Sequence, residues 1–160
     1  MSYSVPDLRA YLSGAWTVER SLLDRATGIR GTFSGTVTFR ARDEANDDDG
    51  ALVQCESGRL RWGQHEGPAT REYVWRPGAS PETMDVFFPD GRFFHRVSLS
   101  ADSPGLRGEH WCDPDDYRVS YTVVGPDEFR YEWDVRGPRK DLLLTTTLRR
   151  HVRRVHTLRT

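Results

Sequence analysis

The stretch GTFSGTVTFRA, residues 31–41, decides the fold class because apolar and hydroxyl side chains alternate along it. Phe33, Val37 and Phe39 fall on one face, and threonine and serine residues occupy the other. Alternation with a period of two is typical of a β-strand that buries one of its faces. The stretch therefore predicts a strand whose phenylalanines point toward a core.

The same period extends over most of the chain on both sides of this stretch. In AWTVERSLL, residues 15–23, Trp16, Val18 and Leu22 share one face. Further runs follow at short intervals: ALVQCES, GRLRWGQ, TREYVWRP, TMDVFF, RFFHRVSLS, LRGEHWC, YRVSYTVVG, EFRYEWDVRG and DLLLTTTLRRH. Glycine, proline and aspartate residues between these runs predict tight turns. Roughly ten short strands joined in this way predict an all-β protein, an antiparallel up-and-down barrel.

Only one segment has a helical pattern, and it precedes the strands. In VPDLRAYL, Pro6 and Asp7 suit a helix start, and Gly14 follows as a stop. We therefore expect a short helix over about residues 6–13. The remaining domain organisation is a barrel over about 15–151 and a basic tail over 152–160.

Bulk composition narrows the function classes. The chain has 160 residues, 36% apolar and 29% charged, which fits one domain in which only alternate residues face inward. The net charge of −1 gives no general attraction to nucleic acid or to a membrane. No apolar run approaches the roughly 18 residues of a membrane span. We expect a small-molecule partner, and the sequence leaves a homodimer open.

The first residues, MSYSVPDLRAYL, lack a basic leader followed by an apolar run. Cys55 and Cys112 are too few for a disulfide framework. These features predict a cytoplasmic protein with reduced thiols.

The segment LSGAW, with Gly14 and Trp16 after a short helix, resembles the G-x-W signature of the calycin superfamily. In lipocalins and related barrels this tryptophan packs against an arginine of the last strand and closes the narrow end. The resemblance implies that Arg149 or Arg150 is the partner here.

Two further resemblances agree with a barrel. CESGRLRW resembles a segment of the nitrobindin-type haem-binding barrels of the same superfamily. DGRFFH, HWCDPDDY and GPRKD together are similar to an uncharacterised bacterial family of small domains of unknown function, from about Leu8 to Arg150. That family has no known activity, so the resemblance supports the fold and leaves the function open.

The stretch FFHRVSLSADSPGLRGEHWCDPDDYR, residues 93–118, concentrates residue types that carry chemistry. If its two halves pair across a turn near 102–103, His95 faces His110, and Cys112 shares their face. Three interpretations remain open. The histidines are hydrogen-bonded wall residues, or they contact a ligand as an acid–base pair with Tyr117, or one of them ligates haem or another metal.

Aromatic rows mark the neighbouring strands. Tyr117 and Tyr121 share a face of one strand, and Tyr131 and Trp133 share a face of the next. In a barrel such rows line the core and also form the wall of a ligand cavity.

Charged residues supply further candidates for ligand contact. Glu56, Arg71 and Tyr73 lie on facing strands, where they either grip a ligand carboxylate, as calycin barrels commonly do, or form outward salt bridges. Arg139 and Lys140 follow a Gly-Pro turn at one rim. They either anchor an anionic group or belong to a solvated turn with an internal Arg–Asp pair.

These residues favour a barrel that binds an apolar or aromatic ligand bearing a polar or anionic group. An alternative is a metal-independent isomerase, cyclase or decarboxylase that uses His95 and His110, with Tyr117. A further alternative is non-covalent binding of haem or a metal through His95 or His110. The chain contains no G-x-S-x-G, P-loop, C-x-x-C or H-E-x-x-H motif.

Overall fold

The computed structural model describes residues 3–42, 49–99 and 115–151, and the backbone of 108–112. Helix α1 (Leu8–Leu12) precedes ten strands. The strands are β1 (Gly14–Asp24), β2 (Arg30–Ala41), β3 (Leu52–Trp62), β4 (His65–Pro77), β5 (Thr83–Phe87), β6 (Phe93–Ser98), β7 (Gly108–Cys112), β8 (Asp115–Gly125), β9 (Glu128–Arg136) and β10 (Asp141–Arg150). In the part of the chain so described, no helix has the length and apolar character needed to cross a bilayer. The predicted tail, 152–160, lies outside the described residues.

All ten strands belong to one antiparallel sheet in the order β6-β5-β4-β3-β2-β1-β10-β9-β8-β7. The first and last strands, β1 and β10, pair with each other, so the sheet is continuous through the middle. It curls until its edge strands, β6 and β7, approach with Cα atoms within 8 Å. The predicted all-β barrel with a short leading helix is confirmed.

The seam between β6 and β7 differs from the expected hairpin. The two strands are the edges of the sheet, and the described residues contain no hydrogen-bonded ladder between them. Strand β6 ends at Ser98 and β7 begins at Gly108, and residues 100–107, which include the predicted turn, lie outside the described part of the chain. Within the described backbone, the expected pairing of His95 with His110 does not form.

A glycine expected to break a strand lies in the middle of one. Strand β3 continues through Gly58, whose partner on β2 is Gly35. A Cβ on Gly35 would collide with the Ser57 carbonyl group and with the Cα of Gly58, so this close crossing requires glycine. The turn between β3 and β4 instead uses Gly63, which has a φ of +59°.

The register of β6 also differs from simple alternation at its start. Val97 and Leu99 are buried together with His95, as alternation along RFFHRVSLS indicates, but Phe93 is 51% exposed. A register shift between β5 and β6 follows Val86, and it turns Phe93 outward.

One end of the barrel is closed by α1 and by the signature tryptophan. Trp16 is fully buried, and its ring centroid lies 5.0 Å from that of Phe129. Its Nε1 donates to the Leu12 carbonyl at 2.8 Å. The guanidinium of Arg150 lies 4.2 Å from the Trp16 ring centroid, and its Nη2 donates to the Tyr11 carbonyl at 2.9 Å. Arg150, rather than Arg149, is the predicted partner of the tryptophan.

Tyr11 makes this end sensitive to alkaline pH. Burial raises the pKa of Tyr11 to about 12, although the charge of Arg150 opposes the shift. Because an unfolded tyrosine titrates near pH 10, ionisation favours the unfolded chain. We expect the contribution of Tyr11 to stability to be complete below about pH 10 and to disappear by about pH 12. Urea unfolding at pH 8 and pH 11 measures it: the loss between them should be smaller in Tyr11→Phe, and parallel losses would contradict the prediction.

Candidate ligand-binding cavity

A cavity occupies the barrel interior between the closed end and the opposite, open end. It holds about 570 Å³ of space free of protein atoms, counting the part open to solvent. Its wall combines aromatic rings with a few polar side chains: Arg20, Phe39, Gln54, Glu56, Arg71, Tyr73, Trp75, Val86, Phe94, His95, Tyr121, Phe129, Tyr131, Trp133, Leu144 and Leu148. Such a wall is typical of small-molecule sites.

A buried ion pair crosses the middle of the cavity wall. Arg20 Nη1 and Nη2 donate to the two carboxylate oxygens of Glu56 at 2.7 and 2.8 Å. The two side chains are only 8% and 4% exposed. This two-point geometry holds both groups in one orientation and neutralises their charges.

The pair extends into a row of polar groups on successive strands. Arg20 Nε donates to Thr146 Oγ1 at 2.8 Å, and its Nη2 donates to Tyr131 Oη at 2.9 Å. Arg20, Thr146, Tyr131 and Tyr121 are successive register partners on β1, β10, β9 and β8. Because register partners share a face, these side chains all point inward.

The same row bridges the seam. His95 Nε2 on β6 is hydrogen-bonded to Tyr121 Oη on β8 at 3.0 Å. Six residues therefore form an arc of polar groups along the cavity wall, the polar belt: Glu56, Arg20, Thr146, Tyr131, Tyr121 and His95.

The protonation states in the belt follow from its contacts. Burial alone would lower the pKa of Arg20, but Tyr131 and Glu56 outweigh that effect and raise it. Burial, together with Tyr131 and Tyr73, raises the pKa of Tyr121 well above its usual value. At neutral pH the belt therefore contains a cationic Arg20 and a neutral phenol at Tyr121.

Aromatic rings form the open end. Residues Arg71, Glu72, Tyr73, Phe88, Pro89, Phe94 and Tyr117 surround this opening, the mouth. Phe94 stacks on Phe88 with centroids 4.6 Å apart, and on Trp133 across the seam at 5.1 Å. The mouth therefore has a lining of mutually stacked aromatic rings.

Cations lie over several of these rings. The guanidinium of Arg71 is 6.0 Å from the Tyr73 ring centroid, and Lys140 Nζ is 5.8 Å from that of Tyr117. Lys140 Nζ also donates to Tyr117 Oη at 3.1 Å and lies 3.4 Å from the Asp115 carboxylate. These contacts bring Lys140 to the mouth.

The structure brings together most of the side chains predicted for ligand contact. Seven of them line the cavity: Glu56, Arg71, Tyr73, His95, Tyr121, Tyr131 and Trp133. Tyr117 and Lys140 meet at the mouth. The side chains of His110 and Cys112 lie outside the described residues.

The remaining candidate, Arg139, is exposed and lies outside the described cavity wall. Among the ion pairs of the described residues, the internal Arg–Asp pair considered for its turn is absent. Asp141 instead binds Arg25 Nε at 2.6 Å.

Arg20 lines the cavity although it is not among the residues predicted from the sequence. It is in phase with Trp16 and Val18 on β1, so the period of two already placed it on the buried face. A charged residue on an apolar face is a detectable signal of a buried polar site. Gln54, two residues before Glu56 on β3, also lines the cavity, and its Oε1 accepts a hydrogen bond from Trp75 Nε1 at 2.7 Å.

Metal-ligand types do not cluster in this wall. Within the described residues, no group of three or more histidine, cysteine, aspartate and glutamate side chains is placed to hold a metal ion.

Solved structures that resemble this chain have very different sequences. The S-type phycobiliprotein lyase CPES from Guillardia theta superposes with a TM-score of 0.62 at 12% identity, over 94% of each chain. A redesigned β-barrel, mFAP1, bound to DFHBI gives a TM-score of 0.46 at 16% identity, over 89% of this chain and 97% of that one. A protein of unknown function from the DUF3598 family of Nostoc punctiforme gives 0.47 at 15% identity, over 92% and 51%. The lyase similarity establishes the fold.

Sequence comparison identifies the family. None of the curated proteins compared with the chain gives a significant match. The model of a family of unknown function, DUF6314, matches residues 12–150, which include all of β1 to β10. The chain therefore belongs to the DUF6314 family.

Proposed function

We propose that the barrel binds a small molecule with a planar aromatic body and at least one polar group. The observation that carries the proposal is the aromatic cavity, open at one end and crossed at mid-depth by the polar belt. Rings at the mouth offer stacking surfaces, and the belt offers hydrogen bonds of fixed direction.

The buried ion pair favours binding over simple core packing. A pair such as Arg20–Glu56 costs desolvation, and an apolar replacement of similar volume is often as stable or more stable. Stability of the fold alone does not require this ion pair. A barrel that orients a guest gains from it, because polar groups held in advance spare the guest the cost of ordering them.

The binding test uses the fluorescent probe 8-anilino-1-naphthalenesulfonate, which combines fused aromatic rings with an anion. We expect its emission to rise on addition of the protein. In Phe94→Ala the Kd should increase about fivefold to tenfold, because the ring stacked against Trp133 is lost.

The matched control is the neighbouring residue. Phe93 is 51% exposed and points outward, so Phe93→Ala should leave the Kd within about twofold of the original. Equal effects of the two substitutions would place the probe elsewhere, and an absence of binding would overturn the proposal.

A second candidate is acid–base catalysis in the same cavity, favoured by the hydrogen bond between His95 Nε2 and Tyr121 Oη. A neutral phenol beside an imidazole is suited to proton transfer to or from a bound molecule. The other expected partner of His95 is His110, whose side chain lies outside the described residues. The test is turnover: a ligand recovered unchanged after long incubation with the protein argues for binding alone.

Ligation of haem or another metal by His95 is less well supported than binding or acid–base catalysis. The bond between His95 Nε2 and Tyr121 would have to break before that nitrogen ligated an iron. Addition of haemin tests this alternative, since a Soret band lost in His95→Ala would establish it.

A further inference from the structure

We infer that the ligand lies with a neutral polar end against the polar belt and an anionic group at the mouth beside Arg71. The inference rests on the proposed binding function and specifies the class of ligand. That class is an elongated aromatic molecule with a carboxylate, sulfonate or phosphate at one end and a neutral hydrogen-bonding group at the other.

The belt selects a neutral end because its charges are already balanced. Arg20 makes four hydrogen bonds, one from Nε, one from Nη1 and two from Nη2. These leave a single N–H of the guanidinium for a guest. An anion at that point also meets the Glu56 carboxylate, so it gains little and loses its hydration.

Neutral groups, in contrast, find partners there. The Tyr131 hydroxyl accepts from Arg20 and retains its proton to donate. Each Glu56 oxygen accepts one N–H from Arg20 and has a further lone pair for a donor. A hydroxyl or amide on the guest satisfies both requirements.

The mouth selects an anion through Arg71. Lys140 already lies 3.4 Å from Asp115, and Arg92 already binds Asp90 at 2.7 Å. Among the described residues no carboxylate lies within ion-pair distance of Arg71. The mouth also contains Glu72, whose carboxylate accepts a hydrogen bond from Cys55 Sγ at 3.8 Å.

Arg71 is the register partner of Glu56 on the neighbouring strand, so its backbone lies beside the belt, and its side chain leads from the belt toward the mouth. Arg71, Tyr73 and Phe94 line both the mouth and the inner cavity, so they connect the two spaces. An aromatic body along these rings places one end of the guest at Arg71 and the other at the belt.

The test of the inner end compares two naphthalenes of matched size as competitors of the sulfonate probe. One is 6-hydroxy-2-naphthoate, which has an anion at one end and a hydroxyl at the other. The second is 2,6-naphthalenedicarboxylate, which has an anion at both ends. We expect the dicarboxylate to compete at least tenfold more weakly, and equal or stronger competition would overturn the inference.

The test of the outer end uses N-phenyl-1-naphthylamine, which has the rings of the sulfonate probe without its charge. In Arg71→Gln we expect the Kd of the sulfonate probe to increase about fivefold and that of the neutral probe to change by less than about twofold. The control Arg59→Gln removes an exposed arginine of β3 away from the mouth and should alter neither value.

The outcomes separate the two proposals. If both probes bind but Arg71→Gln affects them equally, the orientation is wrong and the binding function stands. If neither probe binds, the proposed function fails, and the inference fails with it.

Discussion

Replacing Glu56 with alanine is expected to lower the free energy of unfolding by about 3–5 kcal/mol, because Arg20 then stays buried without its counter-charge. The guanidinium keeps only the Thr146 and Tyr131 hydroxyls as partners, and neither carries a negative charge. Urea unfolding, followed by tryptophan fluorescence and by circular dichroism, gives the value.

Two controls distinguish the lost charge from the lost volume. The double variant Arg20→Met with Glu56→Leu removes both charges and should recover most of the stability. Glu19 is exposed and adjacent to Arg20 on β1, so Glu19→Ala should have a far smaller effect. A loss below about 1 kcal/mol in Glu56→Ala would contradict a buried pair.

Replacing Trp16 with alanine is also expected to lower the free energy of unfolding by about 3–5 kcal/mol, but by a different mechanism. The indole is fully buried at the closed end, where it contacts Phe129 and Tyr11 and lies under the Arg150 guanidinium. Its removal leaves a void that the surrounding strands and α1 do not fill. The same denaturation experiment, followed by circular dichroism, measures the loss.

Two more conservative substitutions separate the contributions to this loss of stability. Trp16→Phe keeps a ring in place but loses the hydrogen bond to the Leu12 carbonyl, so it should cost less than the alanine variant. Arg150→Met keeps an apolar stem over the indole and removes the charge. If Trp16→Ala unfolds at the same urea concentration as the original protein, the tryptophan does not close the barrel.

The fold was largely predictable, and its exceptions have identifiable causes. Alternation in residues 31–41 and the order helix, Gly14, Trp16 were local signals, and the strands obey them. The expected strand break at Gly58 is wrong, because a single sequence does not distinguish a glycine in a turn from a glycine that lets two neighbouring strands approach closely. The β6–β7 pairing was wrong because the register of two edge strands depends on the whole sheet.

The residues on the inner face of the barrel were predictable from the sequence, but the hydrogen bonds between them were not. The rows containing Tyr121, Tyr131 and Trp133 identified the inner wall, since alternation alone determines facing. Arg20 lies on the inner face of β1, but its charge is typical of a solvent-exposed position, so the sequence alone does not distinguish it from an outward residue. Its partner Glu56 lies on β3, 36 residues away, and local sequence patterns do not show which distant residues pair with each other.

The seam between β6 and β7 gives the barrel one wall of adjustable width. Elsewhere, widening the barrel would require breaking rows of backbone hydrogen bonds. At the seam the links across the described strands include one ring stack, Phe94 on Trp133, and one side-chain bond, His95 to Tyr121. Each of these two contacts is worth about 0.5–1.5 kcal/mol. We therefore expect a guest larger than the empty cavity to widen the barrel at this seam before it widens the barrel elsewhere.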